Sequence, residues 1–266
     1  MNDIQAKESE FHDHWAESMS VAQVRVRASF EAPTALEVRY ILKELGSLRG
    51  LRILEVGAGL GEASVYFALQ GATVVATDLS PAMTRFQQQL AAHHGVSLTS
   101  HTGPAELLNM DEQFDVVYAA NLIHHLTDKE AFLVAAQRLL KPGGRFVSWD
   151  PLRYNPCINL YRKMATLVRT EDERALGTED VRLIRSYFSD SKQRFFWFSA
   201  LALFLKYFLI DRVHPNSVRY WKRIYEETPS TLWWWRPLSW LDENIFLRIP
   251  GVRWLAWNTV FIGRRT

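Results

Sequence analysis

The chain has 266 residues, 48% of them hydrophobic, and a formal net charge of +2. That length suits one large α/β domain, or one domain with a sizeable insertion, and the apolar fraction excludes a disordered chain. The near-neutral balance gives no general polyanion-binding signal, and the single cysteine, Cys157, excludes an intramolecular disulfide and fits a reducing compartment. The polar start shows no secretory-signal pattern, so a cytoplasmic protein is expected. Ten tryptophans, seven of them from Trp221 onward, load the C-terminal end with aromatic weight.

In chain order, residues 2–30 read as amphipathic helix, with a break over Ser29–Thr34 at Pro33. Ala35–Leu45 has apolar positions at helical spacing and stops at Gly46. A short apolar run, Ile53–Val56, is the first strand; a loop with glycine at 57, 59 and 61 follows, then a helix from Glu62 to about Gln70. Thr73–Ala76 begins a second strand that ends in Asp78. Ser80-Pro81 is a cap followed by proline at the first helical position, opening a helix to His94. Val96–His101, Phe114–Ala119 and Arg145–Trp149 read as strands, and Lys129–Leu140 as a helix stopped by Lys141-Pro142-Gly143-Gly144. Alternating strands and helices predict a parallel sheet wound by right-handed crossovers.

After Asp150 the rhythm changes. Tyr154–Arg169 reads as helical, Thr170–Gly177 as a charged loop, Glu179–Phe188 as a helix and Gln193–Phe198 as a strand. Ser199–Ile210 reads as an apolar helix interrupted by Lys206; a basic, aromatic stretch Asp211–Tyr225 and a tryptophan-rich end precede a closing strand, Asn258–Gly263.

Four blocks in this order resemble the class I S-adenosylmethionine-dependent methyltransferases: E-V-G-A-G-L-G at 55–61, D-L-S-P-A-M at 78–83, F-D-V-V-Y-A-A-N-L-I-H-H-L at 114–126 and L-K-P-G-G-R-F at 140–146. The resemblance covers roughly Leu36–Pro151 and the last strand. It implies a doubly wound, mostly parallel seven-stranded α/β sheet, with S-adenosyl-L-methionine as cofactor. It divides the chain into an N-terminal helical lid (1–35), a Rossmann-like cofactor domain (36–151), a helical, aromatic-rich cap or acceptor-binding insertion (152–256) and the closing strand (257–266). By the same resemblance, Gly57, Ala58, Gly59 and Gly61 let the cofactor approach the backbone. Glu55 orients the loop or the cofactor amino group. Asp78 takes the ribose hydroxyls, Leu79 and Met83 lie against adenine, and Asn121 meets the amino-acid part. Where relatives often carry an acid, this chain has Pro104, which leaves Glu106 or the Ala105 backbone to serve adenine.

Methyl transfer from a sulfonium needs alignment, a dry site and, for some acceptors, a base. The pocket of such a sheet opens at the carboxyl ends of its strands. His124 and His125 follow the fourth strand there, and Asp150 ends the fifth; each is a candidate base or anchor, or else structural. Tyr154, Asn155, Trp15 and Arg25 are candidates for acceptor binding, or for packing and solvated charge. No metal is expected, because the histidines at 93–94 and 124–125 are adjacent pairs and not at helical i, i+4 spacing.

The apolar stretch Phe195–Ile210 is shorter than a membrane span, which needs ~20 residues. Aromatic residues among lysine and arginine, as at Tyr220–Arg223 and Trp233–Arg236, have the composition of interface anchors. The expectation is a methyltransferase for a small or lipid-like hydrophobic acceptor, by O-methylation, with possible peripheral membrane contact at the inner surface and no nucleic-acid partner. C- or N-methylation of a quinone-, isoprenoid- or natural-product-type acceptor stays open. A nicotinamide-dependent oxidoreductase would use the same glycine loop, and a non-catalytic scaffold would bind cofactor without turnover.

Overall fold

The structure, a computed structural model, describes residues 2–266 apart from 168, 169, 171, 172 and 227. The chain enters through α1 (Asp3–Glu17), α2 (Val26–Glu31) and α3 (Leu36–Leu45). Asn2 opens α1 with a reciprocal cap: its side chain accepts the Gln5 N–H at 2.9 Å, and the Gln5 side chain accepts the Asn2 N–H at 3.0 Å. α2 stops short of Ala32-Pro33, because a residue before proline is disfavoured in helix.

The wound core follows as β1 (Arg52–Val56), α4 (Glu62–Leu69), β2 (Thr73–Asp78), α5 (Pro81–His93), β3 (Thr99–Thr102), β4 (Phe114–Ala120), α6 (Lys129–Leu139) and β5 (Leu140–Pro151). β3 starts three residues later than the sequence suggests, because Val96 and Leu98 pack onto the core before the chain joins the sheet. The C-terminal part adds α7 (Pro156–Met164), α8 (Thr178–Tyr187), β6 (Ser189–Phe196), α9 (Ala202–Leu205), α10 (Tyr220–Glu226), α11 (Thr228–Asn244) and β7 (Asn258–Arg264). The sheet order is β3-β2-β1-β4-β5-β7-β6. Strands β1 to β5 run parallel, and β7 lies antiparallel between β5 and β6. This is the seven-stranded, mostly parallel α/β sheet expected, with a largely helical region ahead of the last strand.

Alternation along the strands splits the core in two. Ile53, Val116, Tyr118, Val147 and Val260 face one layer, with Ile41, Phe67, Met83 and Leu90 from α3, α4 and α5. Leu54, Val117, Phe146 and Phe261 face the other, with Phe132, Leu133 and Ile184 from α6 and α8. Phe204, Tyr207, Tyr220 and Trp235 join the first layer, so the C-terminal region is packed into the main core.

Two expected helices are shorter or more irregular. Asn155 caps α7, accepting the Ile158 N–H at 3.1 Å, and Pro156 takes the first helical position, so the helix begins there and ends at Met164. Of the expected charged loop, residues 171 and 172 lie outside the described residues. The apolar run from Ser199 is a 3₁₀ turn, then α9, then a π turn over Lys206–Ile210. Its entry is held by Asp242 of α11, whose buried carboxylate accepts the backbone N–H groups of Phe198, Ser199 and Ala200 at 2.9, 2.8 and 3.0 Å.

Candidate active site

A cavity of about 360 Å³ opens at the carboxyl ends of β1, β2, β4 and β5. The loop after β1 forms one wall. Gly59 sits at φ +52°, and a Cβ there would meet no atom within 4 Å, so any side chain would stand in the cavity. Gly61, at φ +85°, serves otherwise: its Cβ would come 2.9 Å from Gln87, so glycine lets α4 start against α5, and it is not part of the wall. Asp78, at the end of β2, accepts the Gly59 N–H at 2.7 Å and the Ser80 N–H at 3.0 Å. Burial pushes its pKa up, against the pull of His12 and these bonds. Burial pushes Glu55 up to about 8, although the Ser64 hydroxyl donates to it.

Glu55, Gly57, Ala58, Gly59 and Asp78 all line the cavity, as do Leu79, Ala105, Glu106 and Asn121. Met83 does not: α5 turns it into the core, where it is fully buried. Asn121 takes φ +51° where β4 ends and donates its N–H to the Trp149 carbonyl at 2.8 Å.

α1 lies across the mouth. Its 5, 9 and 13 positions touch the rim: Gln5 donates to Glu106 at 3.3 Å, Ser9 to the Leu79 carbonyl at 3.4 Å, and Asp13 accepts from the Ala82 N–H at 2.9 Å and from the Ser80 hydroxyl. Glu8, His12 and Trp15 line the cavity from a neighbouring stripe. Glu8 accepts from His125 Nδ1 at 3.0 Å and from the Thr170 hydroxyl, and lies 3.4 Å from His12. Burial opposes its charge, but the bonds to His12 and His125 hold its pKa far below the carboxylate range. Burial likewise opposes the charge of His125, yet Glu8 raises its pKa.

The other histidine has a different partner. His124 Nδ1 lies 2.8 Å from Asp150 Oδ1, which also accepts the His124 backbone N–H at 3.2 Å. Asp150 itself is fully buried and absent from the cavity wall, which corrects its reading as a group facing the mouth. The cause is strand parity: Asp150 shares the face of Phe146, whereas Trp149 shares that of Val147 and reaches the cavity. Burial pushes Asp150 up to about 8.

Three proposed acceptor contacts also fall elsewhere. Arg25 is exposed at the start of α2. Tyr154 accepts the Thr178 N–H at 3.0 Å and packs edge-on against Trp254. Asn155, besides capping α7, donates to the Leu255 carbonyl at 2.6 Å. Neither Tyr154 nor Asn155 lines the cavity. Among the described residues, His124, His125 and Glu173 each bring a ligating atom within 4.8 Å of the others. Sequence spacing concealed this trio, because its third member comes from a loop 48 residues beyond His125.

Aromatic side chains also line the cavity: Tyr161, Trp197, Trp221, Tyr225 and Trp257. Arg219 stacks on Trp15, its guanidinium carbon 3.8 Å from the ring centroid, so α1 and the start of α10 clasp across the opening. Glu37 and Asn258 line the cavity too. Apart from the general aromatic richness, no local motif marks these residues.

Residues 54–148 match the family described as Methyltransferase domain. A ubiquinone biosynthesis O-methyltransferase of Pseudomonas putida is 37% identical over 46% of this chain and 52% of its own length. The protein of that description from Pseudomonas syringae is 36% identical over 47% and 54%. The chain therefore spans about half the length of the curated relatives it matches. Among solved structures, a possible histamine N-methyltransferase of Thermotoga maritima matches with TM-score 0.58 at 19% identity, over 99% of this chain and all of that one. Magnesium protoporphyrin IX methyltransferase of Synechocystis, with S-adenosylhomocysteine bound, matches with TM-score 0.52 at 19% identity, over 72% and 93%. The matched segment makes residues 54–148 a methyltransferase domain, and the sheet order, with the glycine loop held by Asp78, gives the chain a class I methyltransferase-like fold.

Proposed function

We propose that the protein transfers a methyl group from S-adenosylmethionine to a hydroxyl of a small, apolar, lipid-like acceptor of the quinone-precursor type. The observation that carries this reading is one cavity lined both by a bare main-chain seat beside Asp78 and by aromatic side chains, with His124 also on its wall. The seat fits the cofactor: Gly59 leaves open space where a side chain would stand, and Asp78 keeps lone pairs for ribose hydroxyls beyond its two backbone bonds. S-adenosylmethionine, when bound, supplies a methyl group already activated on a sulfonium. The chain's own residues orient the acceptor, exclude water and take its proton.

His124 is the base in this reading. Asp150 holds its Nδ1, so the tautomer with the proton on Nδ1 makes Nε2 the basic nitrogen. His125 suits the role poorly, because Glu8 favours its charged form. The Glu8–His125 pair instead fastens α1 over the site and helps keep it dry.

The acceptor class draws on the aromatic wall and on the O-methyltransferases the chain resembles. Exposed Leu209, Ile210, Trp233 and Trp240 support approach to a bilayer surface, and no helix among the described residues is long and apolar enough to cross one. A labelled-methyl assay on lipid and aqueous extracts of the source cell tests the reading, with label expected in an apolar phenolic product. Label confined to water-soluble or nitrogen-linked products would refute it. Nicotinamide binding by fluorescence titration, without S-adenosylmethionine binding, would point to an oxidoreductase. Liposome flotation tests the membrane contact: protein left wholly in the aqueous fraction removes it.

A further inference from the structure

Two buried polar side chains that line the cavity have no part in the cofactor seat or in the His124–Asp150 pair. Glu37 is the second residue of α3 and Asn258 the first of β7, 221 positions apart. They are 3% and 2% exposed, and both line the cavity. Asn258 Nδ2 donates to Glu37 Oε1 at 2.6 Å, and the Trp197 side chain bonds the same carboxyl. Asn258 Oδ1 is buried and accepts nothing among the described residues. An amide has one donor and one acceptor end, so turning its plane would only move the unmet end. Buried polar atoms in folded proteins are met with few exceptions, and an unmet one in a cavity wall points to a ligand group. Tyr225 lines the same cavity, and its pKa is raised by burial and by the nearby Glu37.

The remaining chemistry of the pair is specific. Burial pushes the Glu37 pKa up, which favours a carboxyl that carries a proton and can donate it in a hydrogen bond. Asn258 Oδ1 can only accept. A donor and an acceptor side by side match a group that both accepts and donates at one oxygen. A neutral hydroxyl does this; an ether, a carbonyl or a bare hydrocarbon does not.

We propose that Glu37 and Asn258 bind a neutral hydroxyl of the acceptor, the Glu37 carboxyl donating to its oxygen and Asn258 Oδ1 accepting from its hydrogen. The pair selects hydroxylated apolar molecules over their ethers and hydrocarbons in a cavity whose walls would otherwise take all three. This inference rests on the reading of the cavity as an acceptor site.

The test uses the full chain saturated with S-adenosylhomocysteine. The probes are 4-nonylcatechol and its dimethyl ether, and tryptophan quenching reports binding, since Trp197 and Trp257 line the cavity. Wild type is expected to prefer the catechol by about tenfold or more, in line with an unmet polar group in the ether complex. Glu37→Leu and Asn258→Leu should each cut that preference below about threefold, by weakening catechol binding and leaving the ether unchanged. Glu37→Gln, which still offers a donor, should keep most of it. If a leucine variant fails to fold, Asn258→Ala removes the acceptor with less demand on packing and should show the same loss. The inference is overturned if the variants bind S-adenosylhomocysteine normally and keep the full preference, or if wild type shows none. If neither probe binds while S-adenosylhomocysteine does, the acceptor-site reading fails and takes this inference with it.

Discussion

Around the glycine loop, the cavity wall is main chain and one carboxylate: residues 57 to 59, with Asp78 nineteen positions further on. Elsewhere the wall is side chain: Trp15 from α1, Trp197 after β6, Tyr225 from α10 and Asn258 from β7. The first wall needs backbone conformations that only a few residues tolerate, so it is written as a short motif. The second needs bulk and a few polar atoms, which many sequences can supply from many places. A chain can therefore change its acceptor by altering the second wall and leave the first alone. The sharpest tests ask whether damage to each wall stays on its own side.

The largest effect is expected at the base. His124→Ala should lower kcat by about 10²-fold, the usual range for a positioned base, with the S-adenosylmethionine Kd unchanged. Asp150→Asn should reproduce part of that loss and shift the pH profile, since Asp150 acts through His124, whose ring and backbone N–H it holds. Chelation by EDTA should leave activity within about twofold if His124 works as a base. A loss restored by a divalent ion would transfer the chemistry to the His124, His125 and Glu173 trio.

Next in size is the cofactor wall. Asp78→Ala should weaken S-adenosylhomocysteine binding by about tenfold or more, because hydrogen bonds to charged groups contribute ~1.5–3 kcal/mol each. Gly59→Val should do at least as much, as φ +52° is strained for a β-branched residue and its side chain would fill the seat. Binding of a nonpolar acceptor analogue should stay near wild type in both. Equal loss of both ligands would mean that the walls are not independent.

Legibility followed the same division. The strands, their alternation with helices and the Gly59–Asp78 seat could be read because each depends on local chemistry. Gly61 and Met83 were assigned to the seat by position in a motif, but they serve the packing of α4 and α5. Asp150 was one residue from the cavity-facing position, and in a strand one residue reverses the face. Glu8, Glu37, Arg219 and Asn258 left no local trace, because their meaning lies in partners up to 221 positions away. The apolar stretch Ser199–Ile210 reads as one apolar helix, yet Leu203, Phe204 and Tyr207 are core and Leu205, Leu209 and Ile210 are exposed. Composition alone cannot separate the two sets.

Acidity offers a third, smaller test. Glu55 and Asp150 sit at about 8 in the fold, against ordinary values of 4.5 and 3.8. Between those limits the folded chain holds protons that the unfolded chain has released, so stability falls as pH rises through this window and levels off above it. The raised His125 works in the same direction, since its stabilising charge is lost as pH climbs through its folded pKa. Glu8 works the other way, adding stability that disappears as pH falls below the carboxylate range. Glu55→Gln should therefore reduce the drop in Tm between about pH 5 and pH 8 by several degrees. An unchanged drop would show that Glu55 is ionised in the fold.

The smallest effect belongs to the clasp between Trp15 and Arg219, a stacked guanidinium that ties α1 to the start of α10. Burial lowers the Arg219 pKa, yet the ring face compensates part of the lost hydration. Such a contact contributes ~0.5–2 kcal/mol, at the low end where solvent reaches it. Arg219→Ala should then raise the acceptor KM by about threefold, with kcat and the S-adenosylhomocysteine Kd little changed. Trp15→Ala removes the ring from the cavity wall as well as the clasp, so it should cost more than Arg219→Ala, and the double variant no more than Trp15→Ala alone. Additive losses would mean that the two residues act separately, and that the Glu8–His125 pair and the rim contacts of Gln5, Ser9 and Asp13 hold α1 over the site without the clasp.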